Sequence, residues 1–508
     1  MNRRSLLALL TAGLLLLSGC GSSQAPLSGY PTLPPAQAPY DAPVDDLALR
    51  YEADIPLYLP SMDGQRLLCQ YTAVALQHGV APVRAVAEAL LRHPGSVDVR
   101  PLGGGVSLSL HGDRPVALAG GVCTVNLAST ALQLDRQALY TVCLSIAATL
   151  CELPQVQAVN VLVAGQAVAL DIIGCLPLGS VTPRPGEELA VLWDLVDARR
   201  TPLGENPASV PLTATATLYF PMAETEGFMP ETRTLSFPGQ HPEQLAAELV
   251  NALSAGAQRL SGAAAMPNLS SLMAHTPTLT ELEDGGRLLS LYFVPGLESA
   301  LNDLGLSSVV MLGAIHRTMT TFIPSVSQVR MYEGSNLITS LTSDSLGGAL
   351  LFPDGLMQRQ QFDPLLLDQA SLSLVDGGHL AMTSRVLPCV QAQHPRLLIG
   401  QLLDGVTEAE AAHGLASPLP AGLTSADILG LALTEDGTLL VNLSDTFAQA
   451  LTDYDGSEGL ACYALVNTLC ESMGVARVRF FFNGRVRETL AGELYWGGEF
   501  LRSPGVAR

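Results

Sequence analysis

The hydrophobic positions of the chain form short periodic stretches, separated by Pro, Gly and polar residues. One stretch is apolar at Val83, Val86, Ala87, Leu90 and Leu91. Steps of three and four residues place these side chains on one face of an α-helix, which we expect to pack on a core. Short apolar runs that end at Gly or Asp-Gly predict β-strands and hairpins elsewhere in the chain.

Three segments share one closing pattern, in which a Thr is followed by an apolar run and then by a Gly at the same distance. The pairs are Thr149 and Gly165, Thr318 and Gly334, and Thr468 and Gly484. Each segment predicts the end of a helix, a short turn, and a strand that closes on a glycine turn. The repetition indicates three copies of one module.

The same three segments also match further upstream. Residues 125–129 and 441–445 share a Val-Asn-Leu strand, and residues 289–293 occupy its place in the second copy. Asp284-Gly285 and Asp436-Gly437 are hairpin signals before two of these strands, because both residue types tolerate positive φ. Gln-His-Pro sequences place Pro242 and Pro395 in the first turn of a predicted helix.

Each copy also opens with a strand. The opening strands are predicted at residues 55–59, 217–220 and 371–374. The resulting order, β-α-β-β-α-β, predicts a small α+β sandwich with helices on one face of a mixed sheet. We expect modules at residues 51–180, 212–345 and 368–508, joined by segments rich in proline.

The N-terminus predicts export and lipid attachment. Residues 1–20 contain two arginines, an apolar stretch and the sequence Leu17-Ser18-Gly19-Cys20, which resembles the lipobox of bacterial lipoproteins. This resemblance implies a diacylglyceryl group on Cys20 and a location on the extracytoplasmic face of the cell membrane. An ordinary signal peptide or a short membrane anchor is the alternative. Residues 21–50 are rich in proline and predict a disordered tether. No other stretch is long and apolar enough to span a bilayer.

The chain resembles the GerM domain family of bacterial lipoproteins associated with sporulation and germination. The residues that carry the likeness are residues 218–221 with 230–233, residues 441–444, and residues 467–469, 474–475, 478–480 and 483–484. In the family's pattern, residues 230–233 (Pro-Glu-Thr-Arg) correspond to a turn after the opening strand. The family resembles ring-building motifs, which implies lateral assembly. The first copy lacks the Pro-Glu-Thr-Arg sequence, and three copies exceed the family's usual one or two.

Charge narrows the possible functions. The formal net charge is −21, and all 26 basic residues are arginine. Without lysine the chain has no Walker A loop, no Schiff-base nucleophile and no Ser-x-x-Lys acyl transferase site. So acidic a chain also lacks the basic surface expected of a nucleic-acid-binding protein.

The cysteine spacing favours buried thiols over disulfides. Cys143 and Cys151, and equivalently Cys462 and Cys470, lie eight residues apart on a predicted helix, or about 12 Å. This distance exceeds the roughly 7 Å over which two Cα atoms can be bridged. Cys143 and Cys462 are therefore interpreted as small core residues, whereas a bridge from Cys123 to a helix cysteine stays open.

The histidines and asparagines give no ligand pattern. His241 and His394 precede equivalent helices and are interpreted as packing or capping residues, with metal binding as the alternative. His316 is expected to be a partly exposed structural residue, and Asn126 and Asn442 to form structural hydrogen bonds. Accordingly we predict no catalytic residue, metal site or cofactor.

These observations and the resemblance together predict a non-enzymatic, membrane-anchored scaffold or protein-interaction component in sporulation, germination or assembly of the cell envelope. Its expected partners are proteins of the cell envelope and further copies of itself. Two alternatives remain. One is a lipoprotein partner of an envelope sensor. The other is a glycan-binding protein or cell-wall hydrolase, for which Trp193 and Trp496 are the only tryptophans available to stack on sugars.

Overall fold

The computed structural model describes most of the chain after residue 40. The described ranges are 41–46, 50–77, 82–153, 155–184, 186–202, 204–283, 286–324, 326–343, 345–392, 394–434, 436–492 and 494–503. The predicted signal peptide, the lipobox with Cys20 and most of the predicted tether lie outside these residues.

One order of elements runs three times along the chain: a hairpin, a helix, a second hairpin, a long helix and a strand. The first repeat (50–167) contains β1 (Arg50–Pro60), β2 (Leu67–Gln77), α1 (Pro82–Arg92), β3 (Val116–Ala119), β4 (Val122–Leu127), α2 (Arg136–Leu150), β5 (Ala158–Val163) and β6 (Gln166–Ala167). A helix, α3 (Leu189–Asp197), connects it to the second repeat.

The second repeat (212–337) adds two short helices to the same order. It contains β7 (Leu212–Pro221), β8 (Phe228–Phe237), α4 (Pro242–Ser254), α5 (Leu269–Leu272), β9 (Thr278–Glu281), β10 (Arg287–Phe293), α6 (Leu297–Asn302), α7 (Ser308–Phe322), β11 (Val326–Glu333) and β12 (Asn336–Leu337). A small hairpin, β13 (Ser340–Ser343) and β14 (Gly348–Leu351), and 3-10 turns over Pro353–Gly355 and Arg359–Leu365 lead to the third repeat.

The third repeat (367–501) also carries short insertions. It contains β15 (Leu367–Asp376), β16 (His379–Pro388), α8 (Cys389–Ala392), α9 (Pro395–Leu403), α10 (Glu408–Ala412), β17 (Leu415–Ala416), β18 (Ile428–Leu433), β19 (Thr438–Leu443), α11 (Asp445–Thr452), α12 (Glu458–Met473), β20 (Arg477–Phe482) and β21 (Glu499–Leu501).

Each repeat holds two separate sheets. The first hairpins form antiparallel pairs, and the later strands form four-stranded sheets in the orders β3-β4-β5-β6, β12-β11-β10-β9 and β18-β19-β20-β21. Within each four-stranded sheet one central pair is parallel, and the long helix connects its two strands. The chain is therefore a mixed α+β protein, as predicted.

The opening of each repeat differs from the prediction. A second long strand pairs with the opening strand, so the order is β-β-α-β-β-α-β and not β-α-β-β-α-β. Residues 230–233, predicted as a turn, lie inside β8, where Pro230 pairs with Tyr219. The polar residues of this strand are tolerated because Glu231 and Arg233 satisfy each other and nearby backbone groups, as described below.

Several sequence predictions are confirmed. The five apolar residues of α1 are all buried. Pro242 and Pro395 occupy the first turns of α4 and α9. Gly437 has φ of 78° in the turn between β18 and β19, which is the conformation that the Asp-Gly signal requires. Asp284 and Gly285 lie outside the described residues.

The closing Thr of each repeat connects the long helix to the first hairpin. The Thr149 hydroxyl on α2 accepts a hydrogen bond from the N–H of Tyr58 in β1, at 2.9 Å. Thr318 on α7 does the same for Tyr219 in β7, at 3.1 Å. Thr468 on α12 does so for Ser373 in β15, at 2.9 Å. Each hydroxyl thus satisfies a backbone donor on the side of the opening strand that faces the helix.

The first two repeats are packed together. Their buried apolar residues form one continuous cluster from Leu57 to Leu366, whereas the third repeat has a separate core. At the junction the Asn160 side chain on β5 donates to Thr217 on β7, at 3.0 Å. The N–H of Ser180 donates to the carbonyl of Thr215, at 2.8 Å. Gly179 is required beside this contact, because a Cβ there would lie 2.5 Å from the Thr215 carbonyl oxygen.

The predicted tether is ordered in one part. Residues 41–46 pack on the outer face of the third repeat's sheet, where Ala42 meets Phe481 and its neighbours. Asn442 donates to the Pro43 carbonyl at 2.7 Å, and Arg396 forms a bidentate ion pair with Asp46 at 2.5 and 2.6 Å. A disordered segment was expected here, and the correction follows from contacts to residues some 350 to 400 positions away, which local composition does not encode.

We predict that the helix-to-strand hydrogen bond is a main determinant of stability. Thr468→Val keeps the shape of the side chain but leaves the buried Ser373 N–H without an acceptor, which should lower the free energy of unfolding by about 1–3 kcal/mol. Denaturant unfolding measures this. The control is Thr452→Val on α11, where the exposed hydroxyl bonds only within its own helix. Equal effects of the two variants would contradict the prediction.

Candidate interaction surfaces

The predicted histidines are structural in different ways. His241 is the N-cap residue of α4, and its Nδ1 pairs with the Glu243 carboxylate. His394 occupies the same position before α9. His316 was expected to be partly exposed, but it is fully buried on α7 beside Phe362 and bonds the Met357 carbonyl at 3.0 Å. The correction arises because the turns over Pro353–Gly355 and Arg359–Leu365 fold back over this helix, and burial lowers the pKa of His316 to about 3.

The two equivalent asparagines fix equivalent turns, as predicted. The Asn126 side chain accepts from the N–H of Gly165 at 2.8 Å, and Asn442 accepts from the N–H of Gly484 at 3.0 Å. Each bond joins the central strand to the glycine turn after its parallel neighbour. These asparagines hold the end of the sheet and are not ligands.

The cysteines of the described residues are free thiols. Cys143 and Cys462 are fully buried, which confirms their interpretation as core residues. Burial raises the pKa of both thiols. Cys123 is also buried and free, so the bridge to a helix cysteine that the sequence left open is not formed. Cys69 on β2 is the one exposed thiol among these residues.

Neither tryptophan offers a platform for stacking. Trp496 is fully buried among Phe480, Phe482 and Phe500, and its indole N–H donates to Glu458 at 2.6 Å. Trp193 lies on α3 with the Arg200 guanidinium 4.4 Å from its ring centre. Both aromatic faces are therefore engaged within the chain.

The described part of the chain contains no group of three or more His, Cys, Asp or Glu residues arranged to hold a metal ion. None of its helices is both long and apolar enough to cross a membrane.

An arginine on the second hairpin strand performs the same task in two repeats. Arg233 on β8 donates to the Ala252 and Gly256 carbonyls at the end of α4. Arg385 on β16 donates to the Gln401 and Gly405 carbonyls at the end of α9. A guanidinium suits this place, because the last carbonyls of a helix lack partners and carry partial negative charge.

These arginines also form buried ion pairs. Glu231 lies 2.6 Å from Arg233 and accepts from the N–H groups of Gln258 and Arg259. Burial alone would raise the pKa of Glu231, but the Arg233 guanidinium and the two N–H donors lower it below its usual range. Glu410 forms the corresponding pair with Arg385. In the first repeat Thr72 occupies the place of the arginine.

A further charged cluster closes the junction between the second and third repeats. Arg317 on α7 pairs with Asp363, and Arg359 donates to Thr321 at 2.8 Å. Burial would raise the pKa of the Tyr219 phenol, but Arg359 and Arg317 lower it. The cluster is internal and stabilises the packing of the connecting turns on α7.

Three exposed apolar side chains lie close together on the first repeat. Tyr71 of β2 is 71% exposed, Met62 in the turn between β1 and β2 is 56% exposed, and Val97 is 91% exposed. An open groove of about 700 Å³ runs beside them, between Leu68–Tyr71 and residues 97–99. In the second repeat Pro230, the equivalent of Cys69, is buried and packs against the turn that holds Gly120.

Comparison with known proteins finds one matching family model, in two regions of the chain. The family model described as "Germane: Sporulation and spore germination" matches residues 56–169 and 378–488. These ranges cover the first repeat and most of the third. These two regions of the chain are GerM-like, and the family they resemble is associated with sporulation and spore germination. A search of curated proteins finds no match.

Solved structures of GerM domains are among those similar to this chain. The tandem GerMN domains of the sporulation protein GerM from Bacillus subtilis align at 16% identity over 61% of this chain and 99% of that one, with a TM-score of 0.23. The first GerMN domain of the same protein aligns at 18% identity over 26% of this chain and 97% of that one, with a TM-score of 0.21.

We predict that the Glu231 ion pair makes stability depend on pH. Its lowered pKa adds stability above the carboxyl pKa of the unfolded chain, about 4.3, and this stability is lost as the pH falls through the folded pKa. Glu231→Gln should therefore lower the free energy of unfolding by about 1–3 kcal/mol at pH 7. The deficit should shrink below pH 4. Denaturant unfolding at both pH values measures it.

The control for this prediction is Glu224→Gln. Glu224 lies nearby in sequence and is exposed. Its substitution should change stability by less than about 0.5 kcal/mol at either pH. A Glu231→Gln deficit that is the same at both pH values would show that the carboxylate charge is not responsible.

Proposed function

We propose that the chain is a non-enzymatic lipoprotein scaffold for protein interaction in sporulation, germination or assembly of the cell envelope. The Germane match carries the proposal. The internal engagement of both tryptophans and the structural roles of the histidines support a binding role over the glycan-binding or hydrolase alternative.

The second repeat extends the family assignment. It lies between the two matched regions and has the same order of elements, the same hydroxyl bond from Thr318 and the same glycine turn at Gly334. We interpret it as a third GerM-like module that has diverged in sequence. The proposed modules span residues 51–180, 212–345 and 368–508.

The proposed attachment is a diacylglyceryl group on Cys20, at the extracytoplasmic face of the membrane. Support comes from the lipobox-like sequence at residues 17–20. The chain carries a large net negative charge, so contact with anionic lipid would be repulsive. The lipid therefore supplies the attachment, and the modules are left to bind protein partners, an envelope sensor among them.

We predict that Cys20→Ser moves the chain from the membrane fraction to the soluble fraction of the envelope, because no acyl chain can be attached. Cell fractionation followed by immunoblotting measures the shift. Cys69→Ser is the control and should stay with the membrane. If Cys20→Ser also stays there, its uncleaved apolar N-terminus holds the variant, and incorporation of labelled palmitate decides the question: equal labelling of wild type and Cys20→Ser would contradict lipid attachment at Cys20.

The biological role is tested by deleting the gene in its host. The proposal expects a defect in sporulation, germination or envelope integrity, restored by the wild-type chain. A scaffold needs its binding surfaces and its location, so Cys20→Ser should restore less than wild type. A deletion strain that matches wild type in all three assays would overturn the proposal.

A further inference from the structure

The second strand of the first hairpin has a free edge. Both the N–H and the C=O of Tyr58 bond α2, through Thr149 and Ser145. Tyr58 and its partner Cys69 therefore form a pair without hydrogen bonds between β1 and β2. It follows that Cys69, Tyr71, Ala73 and Ala75 turn their backbone groups away from β1. Among the described residues, nothing pairs with these groups.

The edge also lacks the features that protect exposed strands. β2 has 11 residues, about twice the usual strand length, and contains no charged residue and no proline. The equivalent strands differ: β8 contains Pro230, Glu231 and Arg233, and β16 contains Arg385. The loss of the helix-capping arginine, replaced by Thr72, is what leaves β2 neutral.

The charge of the chain bears on which molecule could pair with the edge of β2. Two copies of a chain with a net charge of −21 repel each other over most of their surfaces, so close approach requires a neutral strip. β2 is such a strip, although Asp54, Asp63 and Asp98 lie near it. An antiparallel pair of identical strands is self-complementary about a twofold axis, which closes the assembly at two copies. Exposed Tyr71, Met62 and Val97 would add apolar contact beside the pair.

We propose that β2 pairs with β2 of a second copy and forms a continuous four-stranded antiparallel sheet across a twofold dimer. This proposal rests on the proposed scaffold function and names its self-association surface. The neighbouring groove beside Leu68–Tyr71 leaves room for the side chains of the added strand.

The test uses the full-length chain in detergent and measures its mass by analytical ultracentrifugation over a range of concentrations. The expected result is a reversible monomer–dimer equilibrium. Higher salt should strengthen the dimer, because it screens the repulsion between the acidic bodies. The opposite salt dependence, weaker association as salt rises, would indicate that the edge binds basic segments, and it would overturn the pairing of two neutral strands. A chain that stays monomeric at every concentration and salt overturns the proposal.

Ala73→Pro tests whether the dimer forms through the edge of β2. The Ala73 N–H points away from β1, so proline removes no bond within the chain, but it removes a donor from each copy in the dimer. The dimer should weaken by at least about tenfold. Ala73→Thr keeps the N–H and should leave the dimer unchanged. A dimer that Ala73→Pro does not weaken overturns the proposal.

A second pair of variants guards against misfolding of the proline variant. Tyr71→Asp adds a charge beside the edge, and Tyr71→Asn is its neutral match in size. Both variants lose the tyrosine contact, but Tyr71→Asp should weaken the dimer more than Tyr71→Asn, because the added charges repel each other across the pair. Higher salt should partly restore the Tyr71→Asp dimer. Equal effects overturn the proposal. Because these variants leave Cys20 and the other repeats intact, a dimer that they do not weaken would overturn this surface without bearing on the scaffold function. Failure of the wild-type gene to restore a defect in the deletion strain would count against the scaffold function and not against the surface.

Discussion

In each repeat a threonine hydroxyl on the long helix accepts a hydrogen bond from the opening strand. This contact matters because, among the residues that the structure describes, the first hairpin and the four-stranded sheet of a repeat share no backbone hydrogen bonds. The long helix packs against both, and the hydroxyl fixes its position along the hairpin. An apolar contact alone would let the helix slide, whereas a buried N–H has one acceptor within reach. The parallel strand that follows the helix is thereby placed as well.

The repeats differ in how they treat the second hairpin strand. In the second and third repeats an arginine ties this strand to the end of the next helix and pairs with a glutamate. The first repeat gives up that tie, since Thr72 cannot reach the helix carbonyls as a guanidinium does. Without the arginine the first repeat has fewer internal hydrogen bonds, but its strand β2 carries no charge and has an uncovered edge. The copies have thus diverged: in the second and third repeats the second hairpin strand supports the fold, and in the first repeat it is available for recognition.

Much of this architecture could be predicted from the sequence, and the failures have physical causes. The stripe on α1 and the Thr-to-Gly pattern predicted the helices and closing strands because their periodicity is local. The strand containing Glu231 and Arg233 was missed because buried ion pairs break the alternation that marks a strand. The burial of His316 depends on turns more than 40 residues away, and the packing of residues 41–46 depends on the opposite end of the chain. Local pattern carries no information on such contacts.

The packing of residues 41–46 gives the molecule a mechanical asymmetry. The N-terminal segment is held by Arg396 and Asn442 of the third repeat before the chain enters the first. A pull on the N-terminus would therefore load the last repeat first, and the Asp46 ion pair would act as the link that yields. Until it breaks, the hairpin of the first repeat would bear little of the force.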